Sequence, residues 1–218
     1  DRSGGVHFVR PNALRALSRN TGGGGGGLQH QTLWGFFNES TNMAMYSVLQ
    51  NGSLIKKVYI PKFIFPMSRV FSSFVTMSFS LGAILIVMLV TRAPLHWQLL
   101  LFPLPLILLL LFAMGVSMVL SSLSVYFRDV THLYGVVTLA WMYVTPVFYP
   151  VSALPDEVAW VLKLNPMYYY LDNFRQLVLY GSLPTAKSWC ICLLCSGVAL
   201  AVGLAVFRKL QRNFILYL

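Results

Sequence analysis

Four apolar runs dominate this chain, at residues 66–90, 99–124, 133–149 and 188–207. At ~1.5 Å of rise per helical residue, each approaches or exceeds the ~30 Å hydrocarbon thickness of a bilayer. Lipid offers no partner for backbone N–H and C=O groups, so a run of this kind folds as a helix that bonds internally. The fold class is therefore all-α: a polytopic integral membrane protein with four transmembrane helices and a partial one at 33–49. Composition agrees, with 57% hydrophobic and only 10% charged residues, where soluble domains carry about a quarter charged.

The charges between the runs set the orientation. Counting from Lys56, eight basic residues fall inside (Lys56, Lys57, Lys62, Arg69, Arg128, Arg208, Lys209, Arg212) and four outside (Arg92, Lys163, Arg175, Lys187). Each loop obeys the positive-inside rule, and the C-terminus is cytoplasmic. The net charge of +10 is spread over short loops and termini beside anionic lipid. A nucleic-acid protein would gather it on one polar face, so nucleic-acid binding is excluded.

The stretch 165–184, NPMYYYLDNFRQLVLYGSLP, breaks the pattern. Met167, Tyr170, Leu171, Phe174, Leu177 and Val178 recur at helical spacing and share one face, with Asp172, Asn173, Arg175 and Gln176 on the other. About fourteen helical residues reach only ~21 Å, too short to cross. With the arm at 155–164, this segment is predicted to form a re-entrant helical hairpin on the periplasmic side. Asp156 and Glu157 open the first arm, Asn165-Pro166 breaks it, and Asp172 stands three residues from Arg175, within pairing reach.

Residues 51–66, NGSLIKKVYIPKFIFP, form the strongest basic connector. Leu54, Ile55 and Val58 give a small apolar face, Lys56 and Lys57 point away, and Pro61 stops any helix. The segment is either an ordinary positive-inside loop or a short docking helix for a soluble partner. In the first long run, Ser68, Ser72, Thr76 and Ser80 make a hydroxyl stripe, suited to close helix packing or to lining a polar path. In the last run, Gly197, Ala201 and Ala205 form a small-residue stripe, read as a close-packing face. Trp141, Tyr143, Phe148 and Tyr149 end the third run, either as an interfacial belt or as rings that stack on sugars.

Residues 1–32 are set apart as a disordered, Arg- and Gly-rich leader, read as a foreign extension or a targeting peptide. Gly22 to Gly27 lack the Gly-Lys-Ser/Thr of a phosphate loop. Segment 33–49 carries Asn38, Glu39 and Asn42, too short and polar for a full span, and reads as the inner half of one. The four histidines lack a second ligand at metal spacing, so no metal or cofactor is expected. Cys190, Cys192 and Cys195 read as buried packing thiols. The carboxylates Asp156, Glu157 and Asp172 read as helix caps and solubilising groups rather than a catalytic set.

Taken in order, NGSLIKKVYIPKFIFP, SSLSVYFRDV, WMYVTPVFYP and LNPMYYYLDNFRQLVLYGSLP resemble the membrane subunits of type-2 ABC exporters. Among these the similarity is to the group exporting O-antigen, capsule or teichoic acid, and it covers about residues 34–218. The resemblance implies a bacterial inner-membrane permease without catalytic residues, working as a homodimer with two cytoplasmic ABC ATPase subunits on a lipid-linked glycan. It also implies that a coupling helix docks on the ATPase through Asn51, Leu54, Ile55, Lys56, Lys57 and Tyr59. The substrate path and gate would involve Ser72, Thr76, Trp141, Tyr143, Phe148, Tyr149, Tyr168, Tyr169, Tyr170 and Arg175. The family begins with an amphipathic helix, a first span and a full second span, whose place the leader takes here. Domain 33–218 would then be the transmembrane domain. A drug or lipid permease, a membrane-embedded transferase and a stand-alone channel are the alternatives.

Overall fold

The computed structural model describes residues 11–57, 61–90, 97–145, 162 and 164–214, with side chains outside the description at 11–30, 55–56, 87–89, 97, 99, 179–180 and 213. Among these residues the chain is helical and has no strand. The helices are α1 (Pro11–Gln50), α2 (Gly52–Lys57), α3 (Ile64–Val90), α4 (Pro103–Tyr126), α5 (Val130–Val144), α6 (Pro166–Arg175) and α7 (Ala186–Leu210). Three of them, α3, α4 and α7, are long and apolar enough to cross a membrane; α5 is apolar but fifteen residues long. The third predicted span continued to 149, and 146–149 lie outside the described residues.

The central element is α4, which touches α1, α3, α5, α6 and α7. Its sequence is apolar all round, as a helix surrounded by other helices requires. The second predicted span began at 99, whereas the structure has a 3-10 turn at Trp97–Leu101 and starts α4 at Pro103. Pro103 and Pro105 therefore sit in the first helical turn, where their missing N–H groups have no intrahelical partner to lose.

Segment 33–49, read as too short and polar for a full span, is not among the helices apolar enough to cross, yet it is deeply packed. It forms the C-terminal half of α1, with Leu33, Phe37, Ala44, Met45 and Val48 buried. Glu39 stays exposed and Asn38 and Asn42 half-buried, while Ser40, Thr41 and Ser47 go inside because each finds a partner. Ser40 and Thr41 hydroxyls donate to the Phe37 carbonyl at 3.0 and 2.7 Å, and Ser47 to Ala44 at 2.6 Å. Tyr134 of α5 donates to Thr41 Oγ1 at 2.8 Å, and Ser124 of α4 to the Met45 carbonyl at 2.8 Å. Buried hydroxyls satisfied in this way carry little penalty. The α1 backbone also runs unbroken across 32/33, the boundary set for the leader, and takes in Gly22 to Gly27.

The outer surfaces of α3, α5 and α7 are largely apolar, with Phe79 76% exposed, Val136 68% and Leu194 66%, interrupted on α3 by outward hydroxyls. A belt of this kind suits hydrocarbon rather than water. At one end of the bundle the ends of four helices meet. Tyr126 of α4 donates to the Leu210 carbonyl at 2.9 Å, and Lys62, just before α3, donates to the Gln211 carbonyl at 2.8 Å. Val48 of α1 packs there with Met118, Val125, Phe207 and Phe214. Lys62, Arg208, Lys209 and Arg212 thus gather at the end that the charge rule assigns to the cytoplasm.

Candidate functional site

The far end of the bundle carries the short helix α6. Asn165 caps it, its Oδ1 accepting the Met167 N–H at 3.0 Å, and Pro166 occupies the first helical position. A π turn over Gln176–Tyr180 prolongs it to Gly181, whose φ of 56° ends the helix in the left-handed region that glycine adopts without strain. Met167, Tyr170, Leu171, Phe174, Leu177 and Val178 are all buried, so the predicted apolar face is present residue for residue. The predicted polar face needs one correction: Asn173 is fully buried, donating to Cys192 Sγ at 3.3 Å, because its side of α6 lies against α7.

Two polar anchors hold α6 to the bundle, and periodicity announced neither. In the first, Asn165 Oδ1 also accepts the Trp141 indole N–H at 2.9 Å, and Asn165 Nδ2 donates to Thr145 Oγ1 at 2.8 Å. In the second, the Tyr170 hydroxyl donates to the Cys192 carbonyl at 3.0 Å and meets Ser196 Oγ at 2.6 Å. Ser196 in turn donates to the Leu108 carbonyl at 2.8 Å. One tyrosine thereby ties α6 to α7 and, through Ser196, to α4. Burial pushes the Tyr170 phenol far above its usual range, so it stays protonated and able to donate.

The predicted gate residues divide accordingly. Trp141, partly buried, meets Trp34 and Phe37 edge-on at ring distances of 6.0 and 5.3 Å, and the fully buried Tyr170 meets Phe112 at 5.5 Å, so both rings pack against the core. Tyr168 and Tyr169 are half-buried on the outer side of α6, their rings edge to face at 5.4 Å. Tyr143 is exposed on α5, and Phe148 and Tyr149 lie outside the described residues, as do Asp156 and Glu157. Arg175, half-buried, acts on Asp172 by its charge, while Gln176 Nε2 donates to Asp172 Oδ2 at 2.7 Å. Burial nonetheless outweighs both and raises the Asp172 carboxyl above its ordinary value. Burial first, then the Asp172 charge, raises the Tyr168 phenol.

Ser72 and Thr76 face outward on α3 with Ser68 and Ser80. Thr76 and Ser80 each donate to a carbonyl four residues back, at 3.2 Å. The thiols are unbridged; Cys192 is buried as expected, whereas Cys190 faces outward. At the basic end, α2 follows a turn at Asn51, whose Nδ2 donates to the Ser47 carbonyl at 2.7 Å. Leu54 is 41% exposed and Lys57 exposed; the Ile55 and Lys56 side chains and all of Tyr59 lie outside the described residues.

The arrangement offers anchored amphipathic elements at both ends of an apolar bundle. A family model described as ABC-2 type transporter matches residues 12–179. The chain belongs to that family. As an ABC-2 membrane permease it is a transport subunit, and the family works with a cytoplasmic ATPase partner. The match begins at residue 12, inside the segment set apart as a leader. The O-antigen export system permease protein RfbA of Klebsiella pneumoniae is 26% identical over 185 residues, which is 83% of this chain and 70% of that protein. The protein of the same name from Myxococcus xanthus is 26% identical over 183 residues, with the same shares. The capsule polysaccharide export inner-membrane protein CtrC of Neisseria meningitidis is 26% identical over 107 residues, 49% of this permease and 40% of that protein.

An Asn165→Ala permease is expected to lose about 3 kcal/mol. The missing helix cap accounts for ~1 kcal/mol and the orphaned Trp141 indole N–H for the remainder, since the Thr145 hydroxyl keeps its bond to the Trp141 carbonyl at 2.8 Å. For a chain of this size that is roughly 6–12 °C in unfolding midpoint, read by thermal denaturation in detergent. Trp141→Phe, which removes the donor and keeps a ring, is expected to cost less.

Proposed function

We propose that the chain is the permease subunit of an ATP-driven exporter that moves a lipid-linked polysaccharide or polyol-phosphate polymer across the bacterial cytoplasmic membrane. The similarity over 83% of the chain to permeases named for O-antigen export carries this reading. Two copies would form a homodimer with two ATPase subunits. Each copy would cross the membrane with α3, α4, α5 and α7, and the C-terminal half of α1 would supply the inner part of a further span. The α2 helix would be the coupling helix, and its place at the basic end of the bundle supports that role. The α6 helix would belong to a re-entrant periplasmic gate, in which Tyr168, Tyr169, Tyr143 and Arg175 meet the glycan. Trp141 and Tyr170 would hold that gate in place from behind. The exposed hydroxyls of Ser72 and Thr76 would serve the path between copies. Closure of the ATPases would push α2 and rock the spans until a lateral path opens.

Co-purification tests this directly. Tagged permease expressed with its neighbouring genes is expected to bring down a nucleotide hydrolase. Once reconstituted, its activity should rise several-fold with lipid-linked polysaccharide and stay at the basal rate with amphiphilic drugs or phospholipid alone. Stimulation by drugs in place of polymer would move the permease to another branch of the family.

A further inference from the structure

A groove of about 660 Å³ opens at the basic end of the bundle between the start of α3, the middle of α4 and the end of α7. Its mouth carries Lys62, Arg208 and Arg212, and among the described residues no carboxylate lines it; its floor includes Met114, Met118 and Leu204. Neither the substrate path nor the coupling helix uses these residues. We propose that this groove binds one anionic phospholipid of the cytoplasmic leaflet, the phosphate among Lys62, Arg208 and Arg212 and an acyl chain along the methionines.

The dimensions suit one leaflet. From Met114 to Tyr126, the end of α4, twelve residues span ~18 Å, and half of a ~30 Å hydrocarbon core is ~15 Å. The mouth therefore sits at headgroup depth while the floor stays among chains. Arginine offers the forked N–H donors that match a phosphate, and methionine is flexible enough to follow a mobile chain. Lys62 has little freedom to leave, since its ammonium is held by the Gln211 carbonyl at 2.8 Å and lies 5.7 Å from the Phe214 ring centre. Burial lowers the Lys62 pKa, which reports a cation partly withdrawn from water, where a phosphate counter-charge has most effect.

Charge also selects against other occupants. A second copy would bring three more cations to the same mouth. The chain's own residues 1–32 carry Arg2, Arg10, Arg15 and Arg19 against a single acid, Asp1. Basic pockets between membrane helices on the cytoplasmic side hold anionic headgroups for the same electrostatic reason.

The full chain, purified in mild detergent with equal phosphatidylglycerol and phosphatidylethanolamine, is read by native mass spectrometry. Phosphatidylglycerol is expected to stay bound to wild type and to Lys209→Gln, which removes an exposed neighbouring charge outside the groove. At least fivefold less is expected on the Arg208→Gln/Arg212→Gln double variant and on Leu204→Trp, which fills the floor and keeps the charges. The preference of wild type for the anionic lipid stands as a readout even if a variant fails to fold. Equal retention of the zwitterionic lipid, equal loss on Lys209→Gln, or full retention on the double variant would each overturn the proposal. So would displacement by millimolar inorganic phosphate, which marks a phosphate-only site, or by a lipid-linked pyrophosphate, which marks a substrate entry.

Discussion

A Gly203→Ala permease is expected to yield little folded, monodisperse protein in detergent, while Gly197→Ala matches wild type. The two glycines lie on one helix, α7, and differ in what a methyl group would meet. At Gly203 an added Cβ would strike the Gly115 backbone of α4, and at Gly115 it would strike the Ala199 and Leu200 backbone of α7. At Gly197 nothing lies within 4 Å. The struck atoms are main chain, so no side-chain rotation relieves the overlap and the two helices must separate. Overpacking of this kind costs about 3 kcal/mol or more, a large part of a total stability near 5–15 kcal/mol. Gly115→Ala should reproduce the defect. Fluorescence-detected size exclusion of tagged variants, with the thermal midpoint of the monodisperse fraction, checks all three. A normal Gly203→Ala profile would mean that α4 and α7 do not cross this closely.

Gly203 also shows where reading a single sequence stops. The stripe Gly197, Ala201 and Ala205 has the four-residue spacing of a packing face, yet all three face outward. Gly203 lies two residues past Ala201, about 200° around the helix, and its partner Gly115 is on another element. Periodicity reports which residues share a face; it does not report which face finds a neighbour. The same limit applies to segment 33–49, where Asn38, Glu39 and Asn42 marked the polar character and remain half-buried or exposed, while the burial of Ser40, Thr41 and Ser47 rests on carbonyl and tyrosine partners that spacing does not report. Where one face is strongly apolar and the opposite one strongly polar, the pattern was legible. The buried face of α6 was readable in full, and so was the gathering of Lys62, Arg208 and Arg212 at one end. The two anchors of α6 were only half readable. Asn before Pro is a helix-cap signal, but its bond to Trp141 joins residues of different elements and has no signature in spacing.

Reversing both charges of α2, the proposed coupling helix, by Lys56→Glu with Lys57→Glu is expected to reduce polymer-stimulated ATP hydrolysis of the reconstituted complex to the basal rate. The reading that α2 docks on the ATPase motivates it. The helix is only six residues long and follows directly on α1, with Asn51 bonded back to Ser47 and Leu54 exposed beside it. Each exposed ion pair contributes ~0.2–1 kcal/mol, and reversal replaces attraction by repulsion of similar size, so two lysines represent about 2 kcal/mol. The proposed homodimer would present the helix twice, bringing the change to about 4 kcal/mol, or nearly a thousandfold in docking. Salt provides the internal check, because at 1 M ionic strength screening acts over ~3 Å. Raising salt should weaken wild-type stimulation and, by screening the repulsion, bring the reversed variant closer to it. The helix is far from both anchors of α6, so the variant should keep the wild-type thermal midpoint, which separates lost coupling from lost folding. Undiminished stimulation in a normally folded double variant would place the push on another cytoplasmic surface, with Arg128 beside Asp129 the next connector to reverse.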